Sequence, residues 1–284
     1  MVSEHTDIGE AIELPAFEPG WVWLAGAGPG DPGLLTLAAY SALQKADVIV
    51  HDALVDERVL KLARTGARLV HAGKRGGKPS PKQIEISQRL VEFARQGNRV
   101  LRLKGGDPFT FGRGSEEAEY LVSAGIPFRI IPGVTAGLGG LAYAGIPATD
   151  RRLNHVVTFL TGHAASGDVP DAIDWQALAK SSPVIVIYMG TKHLPRIAGL
   201  LIGAGRNAQE PVAIISKATT AEQSVIETVL GEAGEAAARA PTPAIIVIGE
   251  VVRLRAGMDW LGAIGGRILT ADPLGKSGDD RVAI

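Results

Sequence analysis

The sequence predicts an α/β protein of two domains, and three observations carry that prediction. The chain has 284 residues, roughly twice the length of a typical ~150-residue domain. In its first half, short apolar strand patterns alternate with helical patterns, as in a parallel sheet covered by helices. In its second half, strand patterns follow one another with fewer helices between them. We therefore expect a mostly parallel N-terminal sheet and a mixed C-terminal sheet.

The N-terminal half contains five predicted strands. Each is a short apolar run bounded by a Gly, Pro or Asp cluster, and together they cover residues 21–25, 48–50, 68–71, 99–103 and 128–131. Helical patterns separate them, at residues 34–43, 56–64, 80–97 and 115–123. Ser80 and Pro81 are typical of a helix start, as cap and first helical residue. A further helix is predicted to end near Gly145.

The C-terminal half contains five more predicted strands, at residues 156–160, 184–189, 212–216, 224–229 and 244–248. Helical patterns fit only residues 174–180, 194–204 and 232–239. The predicted organisation is an N-terminal extension (1–18), two α/β domains (19–146 and 147–262) and a mobile tail (263–284).

Composition excludes several classes of protein. Without cysteine there can be no disulfide, thiolate metal site or cysteine nucleophile, and the six histidines lack the spacing of a metal motif. No apolar run approaches the ~18 residues of a membrane span. The first twenty residues are acidic and contain no Lys or Arg, unlike a signal or transit peptide. A net charge of −1 gives no general attraction to nucleic acid. We expect a soluble cytoplasmic protein with no metal, nucleic-acid or membrane partner.

The 36 glycines are the most unusual feature of the composition. Seven of them fall in three loops, at residues 26–31, 105–108 and 132–137, and each loop follows a predicted strand. In α/β folds ligands bind at the carboxyl ends of the strands. Together the loops predict a site for a small polar organic cofactor whose backbone contacts need glycine.

A dinucleotide cofactor is the first alternative, because the loop at 26–31 lies where such folds bind phosphates. Asp52 even ends the second strand, where a ribose-binding acid would stand. The third glycine of that motif is replaced by Asp31, which would repel a pyrophosphate, and Pro29 lacks a backbone N–H. A nicotinamide-dependent oxidoreductase is therefore disfavoured.

Four segments carry a resemblance to a known family. They read GAGPGD at 26–31, GGDPF at 105–109, FGRG at 111–114 and PGVT at 132–135. The chain resembles the tetrapyrrole methylases over about residues 19–262. The resemblance implies two α/β domains with S-adenosylmethionine in the cleft between them, and a homodimer. Gly73-Lys74-Arg75 and residues 109–117 further imply two successive C-methylations of uroporphyrinogen III, giving precorrin-2 for cobalamin or sirohaem synthesis.

The same resemblance implies roles for individual residues. Asp52 would accept a proton, and Lys74 would be its partner acid. Where the family has an aliphatic residue, this chain has Thr110, a change of small effect if that contact is made by the backbone. The implied cofactor contacts are Pro29, Gly105, Gly106, Asp107, Thr110, Thr135, Ala136, Met189, Ala218 and Thr242.

The substrate carries eight carboxylates, so its site should be basic although the chain as a whole is not. Arginine suits bidentate contact with carboxylates. The candidates are Arg75, Arg113, Arg151 and Arg152. Lys78 and Lys82 fit better as solvated surface charges.

Two further alternatives remain open from the sequence. The chain could be a related methylase acting on a later corrin intermediate, or on a target such as RNA or a modified histidine. It could also be a non-catalytic module that senses S-adenosylmethionine or a tetrapyrrole, which would not require Asp52 and Lys74.

Overall fold

The structure is a computed structural model that describes residues 12–72, 83–164 and 167–275. The chain divides into two compact units, Met1–Thr135 and Ala136–Ile284. Each unit contains one five-stranded sheet, as the sequence predicts.

The sheet of the first unit is parallel throughout, with the strand order β3-β2-β4-β1-β5. Its central strands β1 and β4 are buried along their whole length, which explains the continuous apolar run of β1, whereas β4 also buries Arg102 and Lys104. The strands are β1 Val22–Gly26, β2 Val48–His51, β3 Arg68–His71, β4 Val100–Lys104 and β5 Phe128–Ile131.

Helices cover both faces of this sheet and bury two separate clusters of apolar side chains against it. The Thr36 hydroxyl caps the first helix by accepting a hydrogen bond from Ala39 N at 3.2 Å. Residues 32–34 form a 3₁₀ turn ahead of it. The helices are α1 Leu37–Lys45, α2 Glu57–Leu60, α3 Gln83–Arg95 and α4 Gly114–Ser123. The second is shorter than predicted, and the predicted start of the third at Ser80 and Pro81 lies outside the described residues.

The sheet of the second unit is mixed, with the order β6-β7-β10-β8-β9. Only β6 and β7 run parallel, and the other neighbours are antiparallel. The strands are β6 Val157–Thr161, β7 Val184–Tyr188, β8 Pro211–Ser216, β9 Ser224–Val229 and β10 Ala244–Ile248.

Six helices surround that sheet within the described part of the second unit. They are α5 Ala136–Tyr143, α6 Trp175–Ser181, α7 Leu194–Gly203, α8 Ala233–Arg239, α9 Arg255–Met258 and α10 Trp260–Ile264. Short 3₁₀ segments occur at Thr191–His193, Leu230–Glu232 and Glu250–Leu254. The sequence patterns did not predict the helical turns after residue 249.

The division between the units falls before α5, whereas the predicted boundary follows residue 146. Leu141 and Ala144 pack into one apolar cluster with Val184 and Val186 of β7. The apolar side of α5 is therefore buried in the second unit.

Both predicted terminal segments are partly described. Phe17, at the edge of the predicted extension, stacks on Trp23 with ring centroids 4.2 Å apart. Within the predicted tail, Arg267 Nη1 pairs with Asp259 Oδ2 at 2.7 Å, and Thr270 N donates to Ala256 O at 2.8 Å. These contacts attach the chain through Thr270, while residues 276–284 lie outside the described part.

Across the described ranges, no helix combines the length and apolar character needed to span a membrane.

Candidate functional site

The three glycine loops and Asp52 meet at one edge of the first sheet. Strands β2, β4, β1 and β5 are neighbours in that order and run parallel, so their carboxyl ends lie side by side. Asp52 follows β2, and the loops follow β4, β1 and β5. The expectation that these segments share one edge is confirmed.

The glycine loops pack directly against one another. Gly28 N donates to Gly106 O at 3.2 Å, and Gly106 N donates to Gly28 O at 2.7 Å. A Cβ added at Gly133 would lie 2.3 Å from Gly106 O and 2.7 Å from the Cα of Gly26. Glycine is required at Gly26 and Gly133 because the backbones of the loops approach this closely. Loop packing is thus a reason for these glycines that is independent of any cofactor.

The Asp107 carboxylate joins two of these loops. Its Oδ1 accepts hydrogen bonds from Phe109 N at 2.8 Å and from Thr110 N at 3.0 Å. The Thr110 hydroxyl donates to the same oxygen at 3.2 Å. Its Oδ2 accepts from Gly133 N, in the next loop, at 3.0 Å. Asp107 therefore holds the loop backbone in place, which is a structural role that the sequence motif did not reveal.

The first loop is poorly suited to a pyrophosphate. The Asp31 carboxylate lies in it and accepts a hydrogen bond from Gly33 N at 2.7 Å, capping the 3₁₀ turn. Pro29 contributes no N–H donor. A carboxylate and a missing donor would oppose a phosphate group but not a neutral adenosine with a sulfonium side chain.

Asp52 belongs to a cluster of four charged side chains in the first unit, and the other three members are buried. Arg102 Nη2 lies 2.5 Å from Asp52 Oδ1, and Lys104 Nζ lies 3.9 Å from Oδ2. The same two cations contact Glu117 of α4, with Arg102 Nε at 3.0 Å and Lys104 Nζ at 3.2 Å from its carboxylate. Gln83 Nε2 donates to Glu117 Oε1 at 2.8 Å. Asp52 is 31% exposed, whereas the side chains of the other three charged residues are at most 4% exposed.

Burial changes the titration of two groups at this edge. Burial lowers the pKa of the Lys104 ammonium below its ordinary value of 10.5, and the positive charge of Arg102 adds to that effect. Burial likewise lowers the pKa of His51 from 6.5, against the raising effect of its contact with the Asp52 carbonyl. Both shifts favour the neutral forms of these side chains.

Arg102, Lys104 and Glu117 are the charged residues of this edge that sequence reasoning missed as functional candidates. The signal was present, because β4 reads VLRLK and places two basic residues two positions apart in an otherwise apolar strand. Such residues share one face of a strand. A buried pair of cations requires a carboxylate partner. The sequence does not indicate which Asp or Glu of the chain is that partner.

In the second unit, the predicted cofactor residues Met189 and Ala218 lie where the backbone is strained. Met189 directly follows β7, has a φ of 53° and is 52% exposed. Ala218 is buried between Lys217 (φ 47°) and Thr219 (φ 65°) at the end of β8. Left-handed backbone at non-glycine residues costs about 1–3 kcal/mol and is frequent at binding sites.

Ala136 and Thr242, two more of the predicted residues, lie in the same unit. Ala136 begins α5, where the next backbone amide, Gly137 N, donates to the Tyr188 hydroxyl at 2.9 Å. Thr242 precedes a cis proline, Pro243, whose carbonyl accepts a hydrogen bond from Lys217 N at 2.8 Å. The Thr242 turn is thereby joined to the residue before Ala218. Thr135 is buried at the end of the first unit.

The predicted substrate arginines that the structure describes are exposed, and two have carboxylate partners. Arg113 pairs with Glu116 at 2.6 Å, and Arg152 pairs with Asp150 at 3.1 Å. Arg151 lies in the same turn as Arg152. Arg75 and the predicted acid Lys74 lie outside the described residues, as do Lys78 and Lys82.

No group of three or more His, Asp or Glu side chains suited to a metal ion occurs within residues 12–72, 83–164 and 167–275.

Comparison with known proteins agrees with this architecture. A family model described as Tetrapyrrole (Corrin/Porphyrin) Methylases matches residues 22–234. A uroporphyrinogen-III C-methyltransferase from Sinorhizobium sp is 66% identical over 262 residues, covering 92% of this chain and 94% of the relative. A siroheme synthase from Sodalis glossinidius is 50% identical over 89% of this chain, which spans only about half (53%) of that relative's length.

Solved structures give the same result. Uroporphyrin-III C-methyl transferase from Thermus thermophilus, crystallised with S-adenyl homocysteine, aligns with a TM-score of 0.72 at 40% identity. The alignment covers 82% of this chain and 99% of that one. A cobalt precorrin-4 methyltransferase aligns with a TM-score of 0.74 at 26% identity, over 84% of this chain and 98% of that one. The family match, the close relative and the shared fold together establish that this chain belongs to the tetrapyrrole methylases.

Proposed function

We propose that this chain transfers two methyl groups in succession from S-adenosylmethionine to ring carbons of uroporphyrinogen III, giving precorrin-2. The observation that carries the proposal is the meeting of three glycine loops with Asp52 at one edge of the first sheet, in a chain 66% identical to a uroporphyrinogen-III C-methyltransferase. Precorrin-2 would serve cobalamin synthesis, sirohaem synthesis or both.

The residues proposed to hold S-adenosylmethionine fit a cofactor without phosphates. In the first unit they are Pro29, Gly105, Gly106, Asp107, Thr110 and Thr135, and in the second they are Ala136, Met189, Ala218 and Thr242. The internal hydrogen bonds of Asp107 and the exposed backbone turn at Met189 provide a fixed main chain for such contacts. The bound cofactor supplies an electrophilic methyl group, which an electron-rich pyrrole carbon attacks. Holding that carbon in line with the methyl is worth up to ~7–11 kcal/mol in favourable cases.

Asp52 is the proposed proton acceptor. The macrocycle gains positive charge when the new carbon–carbon bond forms, and it becomes neutral when a proton leaves to the carboxylate oxygen. Asp52 is partly exposed, and Arg102 fixes its orientation. Lys74 is proposed as the partner acid on the basis of the family motif alone.

The reaction is tested by an anaerobic assay with S-adenosylmethionine and uroporphyrinogen III, with the product mass as the readout. A gain of two methyl groups is expected. A gain of one would indicate a related methylase acting at a different stage, and no gain would reject the proposal.

The role of Asp52 is tested with Asp52→Asn, which keeps the shape of the side chain and removes its basicity. Loss of a positioned general base is expected to lower kcat about 10²–10⁴-fold while cofactor binding is retained. Asp56→Asn is a matched control, because Asp56 caps α2 nearby and Asn is an equally good cap. Full turnover by Asp52→Asn would remove the proposed role.

Arg113, Arg75, Arg151 and Arg152 are proposed to bind substrate carboxylates. The exposed Arg113–Glu116 pair is weak enough for a substrate carboxylate to displace Glu116. Arg113→Ala is expected to raise the KM for uroporphyrinogen III more than the KM for the cofactor. The control is Arg253→Ala, which removes a similar exposed pair with Glu250 in the other unit. It should change neither the KM for uroporphyrinogen III nor the KM for the cofactor. A larger change in the cofactor KM would exclude Arg113 from the substrate site.

The homodimer that the family resemblance implies, and the cytoplasmic location expected from the composition, stay predictions.

A further inference from the structure

Glu117 is the most completely buried charged residue in the described cluster around Asp52. Its carboxylate is 0% exposed and contacts both cations of β4, Arg102 at 3.0 Å and Lys104 at 3.2 Å. Glu117 lies on α4, whereas Asp52 follows strand β2. Glu117 ends the segment 109–117 that resembles the family, but it is not among the residues for which the resemblance implies a role.

Net stability is a weak reason for burying charged groups together. Removing charges from water costs several kcal/mol per ion, and apolar side chains of similar volume often stabilise such a position equally well. The Glu117 carboxylate has partners at both oxygens: Oε1 accepts from Gln83, Arg102 and Lys104, and Lys104 Nζ lies 3.2 Å from Oε2. The two cations that it contacts are the same two that contact Asp52, and this shared pairing points to a role at Asp52.

The charges of the cluster balance only when Glu117 is included. Among the described residues, and with Lys104 protonated, two cations (Arg102 and Lys104) face two carboxylates (Glu117 and Asp52). Without Glu117, the Asp52 carboxylate alone would face two buried cations, which would hold it firmly and oppose its protonation. A proton acceptor must be held in place and must also remain able to take up a proton.

We propose that Glu117 is a positioning residue for the methyl-transfer reaction: its buried charge offsets one cation of β4, so that Arg102 orients the Asp52 carboxylate without preventing its protonation. This inference rests on the proposed function and adds to it a residue that acts only through its neighbours.

Other titratable groups also face Asp52 within the described part of the chain. His51 of β2 contacts the Asp52 carbonyl through Nδ1 at 3.2 Å, and His71 of β3 meets His51 edge to face at 5.2 Å. Burial lowers the pKa of His51, so this imidazole is largely neutral near pH 7. Among the described residues, Arg102, Lys104 and Glu117 therefore carry most of the charge around Asp52.

The test is the dependence of kcat on pH for Glu117→Gln, which keeps the shape of the side chain and an oxygen acceptor. Two uncompensated cations then face Asp52. We expect kcat at neutral pH to fall about 10–100-fold, as for a displaced catalytic group. The acid limb of the profile, which reports protonation of the base, should move to lower pH by roughly one unit. Cofactor binding should be unchanged.

Lys104→Met provides a second measurement, in case Glu117→Gln fails to fold. Removing one cation should move the acid limb to higher pH. In the double variant Glu117→Gln/Lys104→Met, one charge of each sign is lost and the cluster is balanced again. The limb should then return toward its wild-type position, whereas a purely structural defect would be made worse by the second substitution.

Glu119→Gln is the matched control, because Glu119 lies on the same helix and is exposed. It should leave kcat and the pH profile unchanged. The proposal is overturned if Glu117→Gln lowers kcat without moving the limb, or if the double variant does not restore it. Wild-type enzyme that adds no methyl group would instead overturn the proposed function, and the product mass separates these two failures.

Discussion

The carboxyl ends of the strands are built differently in the two units. In the first, β2 and β4 end in a cluster of four charged side chains, three of them buried, beside glycine loops that touch backbone to backbone. In the second, β7, β8 and β10 are buried aliphatic strands, and the unusual feature at their ends is left-handed backbone at Met189, Lys217 and Thr219. Left-handed backbone at non-glycine residues also follows β4, at Phe111 and Arg113, so among the described residues the buried charge is what distinguishes the end of the first sheet.

The buried charge of the first unit matches the role of proton acceptor that we propose for Asp52. Charged side chains are needed where a proton is accepted, and they must be held by buried partners. Main-chain contacts suit a cofactor that has to be bound in one orientation. Replacing residues of each kind should therefore affect the two units differently.

The largest effect is expected at the glycine loops of the first unit. Gly133→Ala would place a Cβ 2.3 Å from a backbone oxygen, and relief would require movement of the main chain at Gly106 and Gly26. Overpacking costs about 1–3 kcal/mol and occasionally more, and we expect the upper end here because only main chain can move. Chemical denaturation should show that loss, and a stability close to wild type would mean that the loops are not closely packed.

An intermediate effect is expected from the buried charges. The folded chain has a lowered Lys104 pKa, so the unfolded chain binds more protons between that pKa and 10.5. Stability should rise with pH across this range, by up to about 1.4 kcal/mol per pH unit. Lys104→Met removes the titrating group, so the slope should be smaller in the variant. Equal slopes in urea titrations of the two proteins would contradict the effect of burial.

The smallest effect is expected at a glycine of the second unit. Gly199 lies inside α7, where an added Cβ meets no atom within 4 Å. Gly199→Ala should therefore stabilise the protein by about 0.5–1 kcal/mol, because alanine favours the helix. The predicted change in the free energy of unfolding therefore has the opposite sign to that for Gly133→Ala. A loss of stability here would show that α7 packs against something other than the described contacts.

Local patterns were sufficient for most elements of both sheets. Every predicted strand is present, since short apolar runs between turn residues are distinctive. The turns after residue 249 were missed because 3₁₀ and one-turn helices carry little periodic signal. The three loops were recognised from their glycines, although the reason for Gly26 and Gly133 is contact between loops.

The sequence by itself determined the order of the elements, the three glycine loops of the proposed site and the position of Asp52 at the end of a buried strand. These features depend on residues close together in the chain. The strand order was decided by the tertiary structure, which places β4 between β2 and β1. That order brings Arg102 and Lys104 beside Asp52 and allows Glu117 of α4 to reach both cations. The physical reason is that a buried strand or helix is visible in the local order of apolar residues. An ion pair forms between residues far apart in the chain, so it depends on how those segments pack.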